Sequence, residues 1–403
     1  MEQYQELLRT RFKDETFDYR AQAFRRFIQT PRRSYKESPT TKEYVDITEE
    51  DLEKLITVSD VPEYSDPIRP KYDVDCFFVN DQLVMNRSNA IIESLNDALR
   101  DYPEMMERQV LHEFGRDRIE YLINSAFNNG YFLYVKDGTK HSLRIESAYD
   151  SSMSAVSKMI IVVGDDASLT LTDIYQSVGS GSSVQGRNVY IFLGKRSSVQ
   201  YNYIQEKSHD VTDICFVRSF LDEYSQFKIF HLDAGGSKVL FYNESEMRGE
   251  GSDFRTFGST FSNGDQRMDI RDSSFQTGVA CNADIQVRGV VRGRSSTLHR
   301  GNIDIEETSV KSTGFYDSKI LLLSKDGFAN SKPGLIILNS DTKSKHGSAI
   351  SNVDPEQILY LRSRGINEVT ARNMITEGFT LGIAEKSADP LMIERSNYYS
   401  KLP

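Results

Sequence analysis

Ser225–Phe241 reads SQFKIFHLDAGGSKVLF. Phe227 and Ile229 alternate with Lys228, and beyond the Gly235-Gly236 turn Val239 and Phe241 alternate again. A period of two broken by a small-residue turn predicts a short strand, a turn and a second strand. Working outward, the same reading begins at Tyr131 and holds for about 200 residues. Small or polar residues open the successive strands at Ser168, Ser198, Ser225, Ser237, Ser252, Asp265, Cys281, Ser295 and Thr308. The gaps are 30, 27, 12, 15, 13, 16, 14 and 13 residues, so the first two are about double the rest.

A repeat of roughly 13–15 residues is too short for a strand–helix–strand unit and leaves no helices to cover a parallel sheet. Two such units make one rung of a parallel β-helix, whose apolar positions stack inward as the chain coils. An antiparallel sandwich also spaces strands by turns, but few of these turns carry the Asn-Gly or Asp-Gly signal of tight hairpins. The expected class is mainly β: a parallel β-helix core at residues 131–350, an N-terminal α/β region at 1–130 and a C-terminal helical region at 351–403.

The flanks read differently. Tyr4, Leu7, Leu8 and Phe12, then Phe17, Ala21, Phe24 and Phe27, predict two helices, with Arg25, Arg26, Arg32 and Arg33 as a solvated helix end. Residues 34–70 carry Pro39, Pro62, Pro67 and Pro70 and read as an irregular linker, with one short helix after Thr48-x-x-Asp51. Val74–Leu83 suits a strand pair; Ser88–Ala98 and Ile119–Phe127 suit helices, the second capped at Asn129-Gly130. Near the other end, Lys343-Ser344-Lys345-His346-Gly347 reads as an isolated loop leaving the strands. Asp354-Pro355-Glu356-Gln357 is a capping box that opens a helix closed by Gly365. Asn367 opens a second helix, expected to stop at Gly378, and a third runs from Asp389 to Lys401.

Composition excludes several classes. A net charge of −10 disfavours a nucleic-acid binder. No apolar run approaches the ~20 residues needed to cross a bilayer, and MEQYQELLRTRFKDE lacks the apolar core of a secretory signal. Cys76, Cys215 and Cys281 allow no disulfide framework or CxxC pair. They are expected to be small buried residues in a cytosolic protein.

Sequence chemistry is sparse. Gly194-Lys195 lacks the earlier glycine of a P-loop, and Gly179-Ser180-Gly181 opens no helix. His112 is expected to be structural, while His209-Asp210 and His231-Leu232-Asp233 are expected to be solvated turn residues. Asp304 and Glu306 belong on the outward face of a strand. His346 stands apart, since an imidazole at the exit from the strands suits a borderline metal ligand.

These residues carry a resemblance. Lys343-x-x-His346-Gly347, Asp354-x-Glu356-Gln357-Ile358-Leu359-Tyr360-Leu361-Arg362-Ser363-Arg364-Gly365-Ile366, Ala371-Arg372 and Gly378-Phe379 resemble the C-terminal signature of the SufB/SufD family of iron–sulfur cluster assembly proteins. Leu122–Phe127, Gly130–Val135 and Leu298-His299-Arg300-Gly301 are similar to other parts of that family, so the likeness spans roughly residues 120 to 380. It implies a right-handed parallel β-helix with helical ends. It also implies a SufC-like ABC ATPase docked on the C-terminal helices, around Tyr360, Arg362 and Arg364, and a SufB/SufD-type chain, or a second copy, paired through the β-helix.

A cluster forms at that pairing interface in the family, and His346 is the matched ligand. Gly347 is similar to SufD, whereas SufB-type chains carry Glu there and Cys at the position of Ile337. SufD-type chains often have Cys where Ser344 stands. Clusters are held chiefly by thiolates. The expectation is therefore a non-catalytic scaffold that holds no cluster alone, with thiolates from a partner or from Cys215 or Cys281. Two other classes remain open from the residues themselves: a β-helix carbohydrate-active enzyme, and a β-helix that only assembles with copies of itself.

Overall fold

The computed structural model describes residues 16–31, 45–57, 68–107, 113–128 and 130–402. The helix expected around Tyr4–Phe12, the cations Arg32 and Arg33, the prolines Pro39, Pro62 and Pro67, and His112 and Asn129 lie outside them.

Helix α1 (Phe17–Gln29) buries Tyr19, Arg20, Ala23, Phe24 and Phe27, so its apolar stripe runs through Ala23 instead of Ala21. Helix α2 (Glu49–Ile56) begins at Thr48, whose capping box with Asp51 is complete on both sides. Strands β1 (Cys76–Val79) and β2 (Gln82–Asn86) pair antiparallel. The helix expected over Ser88–Ala98 is instead strand β3 (Ile91–Ser94) followed by α3 (Leu95–Asp101). Antiparallel pairing with the first solenoid strand captures Ile91 and Ile92, and Ser94 then caps α3. Helix α4 (Arg118–Ala126) closes at Phe127, short of Gly130.

The solenoid follows. Strands β4 to β9 are Tyr131–Val135, Lys140–Asp150, Ala155–Val163, Ser168–Val178, Val184–Leu193 and Ser198–Glu206. Strands β10 to β14 are Thr212–Leu221, Gln226–Asp233, Lys238–Met247, Asp253–Ser262 and Arg267–Gln276. Strands β15 to β19 are Asn282–Val291, Ser296–Ile305, Ser312–Leu322, Phe328–Ile337 and Thr342–Asn352. β4 pairs antiparallel with β3, β5 pairs in parallel with β1, and from β6 onward each strand pairs in parallel with the strand two before it, building one sheet in the order β19-β17-β15-β13-β11-β9-β7-β5-β1-β2 and another in the order β18-β16-β14-β12-β10-β8-β6-β4-β3. This is a parallel β-solenoid of about 8 turns. The two doubled gaps in the sequence are filled by β8 and β10, which open at Val184 and Thr212.

Among the described residues, three apolar cores hold it together. One fills the lumen, with residues such as Met159, Ile161, Val189, Ile229, Phe241 and Ile285. The second lies where α1, α2 and α4 cover the outer face of β6, β8 and β10. The third lies where the C-terminal helices cover the outer face of the other sheet at Ile204, Phe230 and Phe257. Strands covered on both faces read as continuous apolar runs, which is why Met159–Val163 lacks alternation.

After β19 come α5 (Pro355–Ser363), α6 (Glu368–Ala384) and α7 (Pro390–Ser400). Asp354, Asn367 and Asp389 cap them through their side chains. Gly365, at φ +84°, provides the left-handed residue that ends α5. The expected stop at Gly378 does not occur. A Cβ there would meet nothing within 4 Å, and α6 runs on to pack Ile383 and Ala384 against the solenoid. Packing outweighs the ~1 kcal/mol a mid-helix glycine costs.

Candidate functional site

Lys343–Gly347 is not a loop. It lies within β19, paired in register with β17: Gly314 opposite Ser344, Tyr316 opposite His346, Ser318 opposite Ser348. The stretch reads as a turn because its residues from Thr342 to Gly347 are polar or glycine, and among the described residues no strand stacks beyond β19 to require otherwise. Parallel strands in register repeat side-chain direction from rung to rung. His346 therefore extends an inward column through Tyr316 and Ile285, and Ser344 one through Gly314 and Ala283. Lys345 points outward, 5.2 Å over the Phe315 ring. Gly347 also faces out, beside the Asp317 carboxylate that pairs with Arg288 at 2.7 Å.

β18 and β19 end the two sheets, and the surface there is apolar: Ile336, Ile337, Leu338 and Ile350 are all exposed. Sheet edges of this kind pair with other chains. His346 is exposed at the same end. Beyond β19 in the chain, α5 and α6 form a hairpin exposing Leu359, Tyr360, Val369 and Met374, with a hollow of about 410 Å³ between them lined by Asp354, Gln357, Tyr360, Leu361 and Ile375. Arg362 reaches Glu368 at 3.6 Å, and Arg364 lies 5.4 Å over the Tyr360 ring. The second half of the helical region is fastened down by Asp389 to Thr172 (2.8 Å), Arg395 to Glu206, and the Arg292 guanidinium to the Ser400 carbonyl (2.7 Å).

Cys76, Cys215 and Cys281 are buried and free. Burial pushes the Cys215 thiol up to about 12, deep in the lumen. Cys281 precedes β15, two strands from β19, or roughly 10 Å at ordinary strand spacing. Neither fold position brings a thiol beside His346. Among the described residues, no three His, Cys, Asp or Glu side chains gather as a metal-ion site.

The residues that sequence reading misjudged are inside. His231 and Asp233 are not solvated: both are fully buried, in phase with Phe227 and Ile229 on the inward face of β11. That phase was legible, but the Ala234-Gly235-Gly236 turn beside them suggested exposure. The imidazole lies between two carboxylates, 2.7 Å from Asp233 and 3.4 Å from Asp272. Burial alone would lower its pKa; the two carboxylates outweigh it and push His231 up to about 10. Its register neighbour must be Gly258, since a Cβ there would sit 2.1 Å from the imidazole.

His299, from the Leu298–Gly301 motif, is also luminal, bonded to Thr260 (2.9 Å) and Ser318 (3.1 Å), and burial lowers it to about 3. The motif's Gly301 fits against the Asp272 carbonyl, 1.7 Å from where a Cβ would stand, and beneath the Tyr316 ring. Further back, Asp213 accepts from Arg187 (2.7 Å) and pairs with Lys207 (2.8 Å). Burial would raise it, but these two cations hold it down to about 2. His209 pairs with Asp265 at 3.1 Å on the surface, as a turn residue should. Asp304 lies on the outer face of β16, and burial raises it to about 6.

A solenoid with this motif spacing, an apolar end and a histidine in its last rung defines a class that comparison with known proteins then names. The pattern of the SUF-system iron–sulfur cluster assembly SufBD core domain matches residues 145–379. The chain belongs to the SufBD family. An iron–sulfur cluster assembly SufBD family protein of Staphylococcus epidermidis is 22% identical over 354 residues, 85% of this chain and 76% of the relative. A second such protein, from Staphylococcus aureus, is 21% identical over 340 residues, 82% of this chain and 73% of its own length. The SufD of Bacillus subtilis is 23% identical over 299 residues, 72% of this chain and 68% of its own. Membership supports a role in iron–sulfur cluster assembly, in a family whose members are in general non-catalytic components. Among the described residues, no helix is long and apolar enough to cross a membrane.

Proposed function

We propose that this chain is a SufD-like scaffold subunit of a SUF-type assembly complex. Its open end pairs with a SufB/SufD-type chain, and a transient iron–sulfur cluster, the cargo, is built at that joint with His346 as one ligand and thiolates from the partner. The α5–α6 hairpin docks a SufC-like ABC ATPase through Leu359, Tyr360, Val369 and Met374. Arg362 and Arg364 shape that surface through their contacts with Glu368 and Tyr360. ATP hydrolysis in the partner then acts on the scaffold as a coupling between binding events, with no chemistry by this chain.

The observation that carries this reading is the position of His346, in an inward column of a last rung paired on one side only, at an end that also exposes Ile336, Ile337, Leu338 and Ile350. Neutral imidazole is a ligand for iron, and a site shared between two chains needs only part of its ligand set from each. Anaerobic purification of the tagged protein from its host, with iron and sulfide assayed for wild type and His346→Ala, tests it. The expected result is an ATP-binding chain that co-purifies with both proteins, and iron that drops several-fold in the variant. Absence of both the ATP-binding chain and iron overturns the proposal.

A further inference from the structure

Among the described residues, three hydroxyls at the open end find no hydrogen-bond partner although they are shielded from solvent: those of Tyr316, Ser331 and Ser344. Each occupies an inward column. Tyr316 pairs with His346, Ser344 with Gly314, and Ser331 with His299. The Ser344 Oγ stands 3.5 Å from where a Cβ on Gly314 would be, so it leans into the lumen. The Tyr316 ring, only 2% exposed, reaches across the lumen to Gly301 on the opposite sheet.

Their columns offer them nothing in the rung below. Ser344 follows Gly314 and Ala283, Tyr316 follows Ile285, and both nitrogens of His299 are already taken by Thr260 and Ser318. A buried hydroxyl left unpaired costs about 1–3 kcal/mol. Three of them within the last two rungs, at the end where His346 stands, mark a place built for an occupant that accepts hydrogen bonds.

We infer that Tyr316, Ser331 and Ser344 are positioning residues for the cargo at His346, donating O–H hydrogen bonds to its sulfide or thiolate sulfurs. This rests on the scaffold reading above. Hydrogen bonds to sulfur are one of the means by which a protein sets the charge and retention of such a cluster.

The test compares wild type with Tyr316→Phe, Ser331→Ala, Ser344→Ala and His346→Ala, each purified anaerobically with its co-purifying chains. Two readouts are taken: the melting temperature of the iron-free protein, and the rate of iron loss to an added chelator. Deleting an unsatisfied hydroxyl leaves the iron-free melting temperature unchanged or raised, while iron is lost about 10-fold faster. A lowered iron-free melting temperature in Tyr316→Phe would show that its hydroxyl is bonded within the fold, and would overturn the inference for that residue. His346→Ala losing iron while all three hydroxyl variants retain it like wild type overturns the inference alone and leaves the scaffold reading standing, the hydroxyls then holding only water. Iron that is retained in His346→Ala, or absent from wild type, overturns both.

Discussion

His231 and His346 both stand in inward columns of the same sheet, and almost everything else about them differs. His231 is sealed between two carboxylates, stacked on Phe241 with ring centroids 4.7 Å apart, and in register with a glycine that makes room for it. His346 has a strand on one side only and solvent on the other. The solenoid thus uses one residue type in two ways. In a closed rung the neighbours fix its charge, and in the last rung one side of it stays open to solvent.

Removing the closed-rung histidine is the most severe way to probe that contrast. His231→Ala leaves Asp233 and Asp272 buried without their cation, and breaking a buried pair costs about 3–5 kcal/mol. Urea denaturation is expected to show that loss. His346→Ala should change stability by less than ~0.5 kcal/mol, as exposed positions do. Equal losses at the two positions would erase the distinction.

pH sharpens the comparison next. His231 is raised from 6.5 to about 10 in the folded chain, so the fold holds this proton over that interval while the unfolded chain releases it. Its stabilisation is whole below pH 6.5 and drains away as pH climbs to 10. His299 is lowered from 6.5 to about 3, so its contribution is whole above pH 6.5 and is lost as pH falls toward 3. Melting temperature measured against pH should therefore peak near the ordinary histidine pKa, and the alkaline decline should flatten in His231→Gln.

The smallest expected effect on the fold is at the edge. Ile350→Lys places a charge on an exposed position of β19 and should stay within about 0.5 kcal/mol of wild type. It should nonetheless weaken association at the open end about tenfold or more, measured by sedimentation, because charge on an edge strand opposes pairing. Unchanged association would move the pairing surface elsewhere.

Much of this was legible in the residues. Alternation around Phe227 and Val239 reported two sheets, and the doubled gaps before Ser198 and Ser225 were already whole rungs. What misled was local resemblance to turns. Lys343–Gly347 looked like a loop because an end strand owes its composition to one neighbour. His231 and Asp233 looked solvated because a charged pair is ordinarily outside, and only the ladder shows Asp272 arriving from the other sheet to balance them. Ser88–Ala98 failed for a different reason: a pairing partner some 40 residues further on overrode local helical preference. The unpaired hydroxyls had no sequence signal, since serine and tyrosine look alike whether bonded or not.

The seating of α7 has a mechanical consequence. Asp389 holds Thr172 on β7, Arg395 holds Glu206 at the end of β9, and Ser400 is held by Arg292 just beyond β15. Glu206 also takes the Tyr72 hydroxyl at 2.7 Å and Lys71 at 3.2 Å, so the same fastening grips the N-terminal segment. The helix acts as a splint laid across the stack. A load placed on the α5–α6 hairpin would therefore fall on the strands from β7 to β15, ahead of the final rung.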